Sequence, residues 1–171
     1  TATGDPEVRS YCALPDTEAS RYRLNRDDHN QIFRFTFTAN GTTGPAYCLD
    51  KFKDGPYGDV PYQSQTFETL FPDATERQKQ MLAWILANAY PTVSASQTFN
   101  LVGVDDTAAP PLDNNDAYAA GQGAIWVVFC QISPSEAVFF NCFFGAAHPK
   151  SHRLDQTVLR LIGNAGVFLS S

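Results

Sequence analysis

The stretch that most restricts the fold is 31–39, where Phe33, Phe35 and Phe37 alternate with Arg34, Thr36 and Thr38. A period of two puts the three rings on one face of a strand and the polar side chains on the other. Asn40-Gly41 follows at once, and this dipeptide is a strong signal for a tight antiparallel hairpin. Asn40-Gly41-Thr42 also matches a glycosylation acceptor, but the turn already explains it. The returning strand runs into Ala46-Tyr47-Cys48-Leu49-Asp50. A cysteine there is gripped by packed neighbours and lies beside a Gly-, Pro- and Tyr-rich loop. Cys48 is therefore the candidate reactive group; the ordinary alternative is a small buried hydrophobe.

A length of 171 residues fits one domain, 1–171, and 43% hydrophobic with 13% aromatic residues suffices for a sizeable core. The 13 Phe and 7 Tyr against one Met favour sheet-rich packing. A net charge of −6 is unsuited to phosphate backbones and anionic lipid, so neither nucleic acid nor a membrane surface is expected as partner. No apolar run reaches the length of a membrane span, and the chain opens on polar residues without a signal-peptide pattern.

The cysteines are Cys12, Cys48, Cys130 and Cys142, and none shows zinc-ligand spacing, so neither metal nor cofactor is expected. With Cys48 engaged elsewhere, Cys130 and Cys142 are the better disulfide pair, since they bracket a turn at Ser133-Pro134. Unbridged thiols in a reducing compartment are the other option.

Residues 1–28 are polar and interrupted by Pro6 and Pro15, which predicts loose structure with a strand at Arg21–Leu24. The loop Lys51–Tyr62 carries Phe52, Tyr57 and Tyr62, rings that either pack down or dock a partner. A helix is expected over Asp73–Tyr90, with Asp73 and Glu76 as a capping box and an apolar stripe at Leu82, Ile85, Leu86 and Ala89. Thr98–Val104 reads as a strand and Asp105–Asn115 as a loop. A second helix over Asp116–Gln131 contains Gly121 and Gly123, each costing about 1 kcal/mol relative to Ala. Glycine in mid-helix at that cost predicts a close neighbour. Ala137–Phe144 reads as a strand, and Ser151–Ile162 fits either a helix or a strand.

Three stretches in order resemble the thioester domains of Gram-positive surface adhesins. They are Tyr47-Cys48-Leu49, then Gly121-Gln122-Gly123-Ala124-Ile125-Trp126, then Gln156-Thr157-Val158-Leu159. Gly121 stands where the family has Thr, and Asp155 where it has an apolar residue. The resemblance implies an α+β fold, an antiparallel barrel or sandwich with a helical lobe inserted over about 73–131. It further implies that Cys48 attacks the carboxamide of Gln156, expels ammonia and leaves an internal thioester. Tyr47 and Trp126 would shield that bond from water, and Gln122 would hold backbone nearby. The implied function is that of a cell-wall-anchored extracellular adhesin, monomeric and acting once. It would bind covalently to an amine of a host or environmental surface protein.

Two other classes stay open. One is a non-covalent adhesive or carbohydrate-binding module using the aromatic loop. The other is a cysteine hydrolase pairing Cys48 with His148 or His152 and an aspartate.

Overall fold

A computed structural model of the chain describes residues 2–4, 22–24, 32, 35–50, 59–60, 65–131, 139–141 and 150–170. Strands β3 (Phe35–Ala39) and β4 (Thr42–Ala46) pair antiparallel, from Phe35↔Ala46 to Ala39↔Thr42. Between them Asn40 and Gly41 have φ of 52° and 78°. Two successive left-handed residues give the turn whose twist matches the flanking strands. β1 (Ala2–Gly4) pairs antiparallel with β3, and β5 (Asp59–Val60) pairs with β1, giving the order β4-β3-β1-β5. β2 (Tyr22–Leu24) and β6 (Phe139–Asn141) form a separate antiparallel ribbon.

The α+β class holds, but the expected barrel or sandwich is not formed among the described residues. β4 and β5 remain edges of the larger sheet, and a two-stranded ribbon is no second layer of comparable size. Within residues 1–28 the strand expected at Arg21–Leu24 is present as β2, and β1 is an added strand where loose structure was expected. The expected inner face of β3 also fails at its far end, where Phe37 is 37% exposed and Thr36 is half-buried. Phe37 lies opposite Gly44, which has no side chain to cover the ring. Phe33, Cys12, Cys142 and His148 lie outside the described residues, as does the expected loop Lys51–Tyr62 apart from its residues Asp59–Val60, which form β5.

The helices are α1 (Phe67–Leu70), α2 (Glu76–Asn88), α3 (Ala95–Leu101), α4 (Asn114–Val128) and α5 (Ser151–Ser170). α2 starts later than Asp73. Its capping box is Thr75 with Gln78, bonded reciprocally at 3.1 and 2.9 Å, while Asp73 sits in the preceding turn. The strand expected over Thr98–Val104 is instead α3 and the turn after it. Ser94 and Gln97 cap that helix reciprocally, which outweighs the β-branched and aromatic composition of the segment.

α5 settles the ambiguous segment as helix and carries the helical part of the fold well past residue 131. Leu154, Val158, Leu161 and Ala165 recur at helical spacing and are all fully buried. They pack against α4 and α2. On another side of α5, Arg153 donates to the carbonyls of Asp105, Ala108 and Pro110, and Arg160 to those of Val102 and Gly103. These bonds satisfy backbone that has no sheet or helix partner.

α4 is enclosed on every side: Ala117 through Ile125 and Trp126 and Val128 are all buried. A helix apolar all round belongs in the middle of a core, and the other long helices surround it. Leu161→Ala therefore removes a fully buried side chain from the α5 seam. It should cost about 2–5 kcal/mol, read as a lower denaturation midpoint with unchanged slope.

Candidate functional site

The segment leaving β4 does not continue in the sheet; it lies along α4 and bonds to its side chains. Tyr118, Gln122 and Trp126 are spaced by four, so they share one face of that helix. Tyr118 Oη donates to the Ala46 carbonyl at 2.6 Å. Gln122 Oε1 accepts from the Cys48 N–H at 2.8 Å, and Gln122 Nε2 donates to the Cys48 carbonyl at 2.7 Å. Trp126 Nε1 donates to the same carbonyl at 2.9 Å. Past the end of the helix, Gln131 Nε2 donates to the Leu49 carbonyl.

Tyr47 fills the space between the segment and the helix. Its ring stacks on Tyr118 at 4.8 Å between centroids with 12° between planes, and its Oη donates to the Tyr90 carbonyl at 2.6 Å. Burial, with Tyr90 adding to it, pushes the Tyr47 phenol up, so it remains a neutral donor. The ring runs directly over Gly121. A Cβ built there would come within 2.5 Å of Tyr47 Oη and 3.0 Å of its ring carbon. This is the close neighbour that a mid-helix glycine predicts.

Cys48, its backbone held on both polar groups, is half-buried, and its Sγ donates to the Asp50 carbonyl at 3.0 Å. Cys48 is in no disulfide. Neither is Cys130, so the bridge expected between Cys130 and Cys142 is not formed. Cys130 stands exposed after α4 with φ of 58°, and Gln78 Nε2 approaches its sulfur at 3.8 Å.

Gln156 is not brought to Cys48 in the same way. It is half-buried on α5, and its Nε2 lies 3.0 Å from Nε2 of His152, one helical turn away. Among the described residues no hydrogen bond joins Gln156 to Cys48. His152 is hydrogen-bonded to Gln156, and no hydrogen bond pairs it with Cys48 as the hydrolase reading needs. No group of three or more His, Cys, Asp or Glu suited to a metal occurs among the described residues. No helix among them is long and apolar enough to cross a membrane.

Sequence reasoning missed Tyr118 and Gln131, and missed the anchor beneath them. Tyr118 was legible in principle, as the first member of the 118, 122, 126 stripe. Asp116, fully buried, accepts from the Asp113 N–H at 2.8 Å in the capping box of α4 and from Lys150 Nζ at 2.9 Å. Lys150 is itself buried and immediately precedes α5, so the pair pins the start of one helix to the start of the other. Burial and the neighbouring Asp113 push the Asp116 carboxyl up to about 6 against the opposing pull of Lys150. Nothing in the sequence separates Asp116 or Lys150 from surface charges.

Removing Lys150 takes the paired cation away from a buried carboxyl. Lys150→Met should cost about 3–5 kcal/mol at neutral pH. Asp116 already titrates above its unfolded value, and losing the cation raises it further. The neutral acid is the cheaper buried form, so the deficit relative to wild type should shrink as pH falls from 7 to 5. Urea titrations at the two pH values check this; a deficit that grows on acidification contradicts it.

Gly121→Ala drives a methyl group into a tyrosine held by its stack on Tyr118 and its bond to Tyr90, and should cost about 1–3 kcal/mol. Adding Tyr47→Phe removes the nearest atom and should recover part of that loss in thermal unfolding.

A family model described as the thioester domain matches residues 45–165, well over half of the chain. That span takes in Cys48, the whole of α4 and Gln156. Comparison with curated proteins and with solved structures returned no match. The chain belongs to the thioester-domain family.

Proposed function

We propose that this domain is the reactive part of a bacterial surface adhesin, and that Cys48 forms an internal thioester with a glutamine of the same chain. The observation that carries this is the double bond pairing of Gln122 with the Cys48 backbone, closed by Trp126. Such fixing holds a nucleophile in one orientation. Pre-positioning of reacting groups is worth about 7–11 kcal/mol of a barrier of this kind.

In the first step the Cys48 thiolate adds to the side-chain carbonyl carbon of the glutamine. The C–N bond then breaks, and nitrogen leaves as ammonia after taking up a proton. In the second step an unprotonated amine of the target adds to the thioester carbonyl. The C–S bond breaks, Cys48 returns to a thiol, and a stable amide joins the glutamine to the target. Each molecule acts once, so the domain is an adhesive and not a turnover enzyme. The partner is a protein or other surface bearing a lysine-like amine, the domain works as a monomer, and its place is outside a Gram-positive cell.

Gln156 is the acyl partner that the family motif assigns. Its amide nitrogen, the leaving group of the first step, lies 3.0 Å from Nε2 of His152. Intact mass of freshly purified protein tests the bond itself: wild type should be lighter than its sequence by one ammonia, and Cys48→Ala should show the full mass. Wild type at full mass sinks the proposal. Peptide mapping after exposure to methylamine should place the adduct on Gln156, and an adduct on Gln122 or Gln131 would reassign the partner.

A further inference from the structure

Gln131 reaches in two directions. Its amide donates to the carbonyl of Leu49, the residue after Cys48, and its side chain also walls an open cavity of about 290 Å³. That cavity lies between the turn preceding α2 and the end of α4. Its other main walls are Leu70, Phe71, Asp73, Gln78 and Phe129. Phe71 and Phe129 are half-buried and stack at 5.9 Å, and Phe67 joins both rings at 5.1 and 5.7 Å. The three rings therefore form one contiguous aromatic floor that is only partly covered.

The polar groups around this floor are unequal. Gln78 is committed, accepting from the Thr75 N–H and donating to the Val128 carbonyl. Asp73 is exposed at the rim, and no described residue bonds to its carboxylate. Ring faces beside a carboxylate suit an alkylammonium group: the methylene stem packs on the rings and the cation meets both the ring quadrupole and the negative charge. The acidic balance of the chain, −6, favours the approach of such a group.

We propose that this cavity is a recognition subsite for a basic, lysine-like side chain of the target, one that flanks the reacting amine. It rests on the thioester reading for its place in the function, because Gln131, one wall of the cavity, also bonds the carbonyl of the residue after the nucleophile. The target is then a segment with two basic side chains, one docked on Phe71 and Phe129, the other presented to the acyl group on Cys48.

Binding is tested apart from reaction in Cys48→Ala, which cannot form a thioester. Nα-acetyl-lysine methylamide titrated into the isotope-labelled variant should shift the backbone amides of Phe71, Asp73 and Gln131 saturably in NMR spectra. The norleucine analogue, with the stem but no charge, should not. Asp73→Asn should weaken the lysine probe by about threefold to tenfold. Shifts confined to other surfaces, or equal shifts from both probes that ignore Asp73→Asn, overturn the proposal.

In wild type, Asp73→Asn should slow adduct formation by a Lys-Gly-Lys peptide while leaving the methylamine rate unchanged. Equal rates for the peptide in both proteins also count against the subsite. If neither amine gives an adduct, the thioester reading has failed, and the titration still decides whether the cavity binds the cation.

Discussion

The side chain of Gln122 behaves as a borrowed strand. Its carbonyl takes the N–H of Cys48 and its NH₂ gives to the Cys48 carbonyl, so both backbone groups of one residue are satisfied by one side chain. Gln122 is 1% exposed, where an unmade hydrogen bond costs about 1–3 kcal/mol. Neither half of the pairing can therefore be released cheaply. Trp126 adds a second donor to the same carbonyl. The consequence is chemical: the backbone of Cys48 has one position, and its sulfur points from that position only.

A rigid grip needs a rigid helix, and the rest of the fold supplies it. α4 is enclosed by α2, α3 and α5, so its side chains have few alternative rotamers. Its first turn is capped by Asp113 and Asp116, and Lys150 ties that cap to the start of α5. Gly121 completes the arrangement by what it lacks. Without a Cβ there, Tyr47 can lie against α4 over Gly121 while stacking on Tyr118 of the same helix. Strand, tyrosine and helix are thus fitted to one another around a single residue.

Local signals in the sequence were read correctly where short-range physics decides. Asn40-Gly41 needs only its own backbone to turn, and Gly121 in a helix implies a close neighbour whatever that neighbour is. Distant partners decided the cases that failed. Phe37 alternates like a buried residue, yet lies opposite Gly44 at an exposed end of the hairpin. Thr98 and Phe99 look like strand residues, but a capping box four residues upstream starts a helix through them. The α5 segment is ambiguous in sequence because Leu154, Val158, Leu161 and Ile162 fit a helix while 155–159 also reads as a strand, and only the neighbouring helices select one. At the site, the Tyr47, Gln122 and Trp126 cluster was legible through motif resemblance. Lys150 with Asp116 was not, since a buried ion pair 34 positions apart leaves no periodic trace.

The chain belongs to the thioester-domain family, and the arrangement that membership bears on is a half-buried cysteine fixed by its backbone beside Tyr47 and Trp126. The most direct test is electron density at residue 48 in a crystal of freshly prepared protein. Continuous density from Sγ to the side-chain carbonyl carbon of a glutamine is the expected result. A sulfur that ends in solvent, or that is joined to another sulfur, would contradict the account.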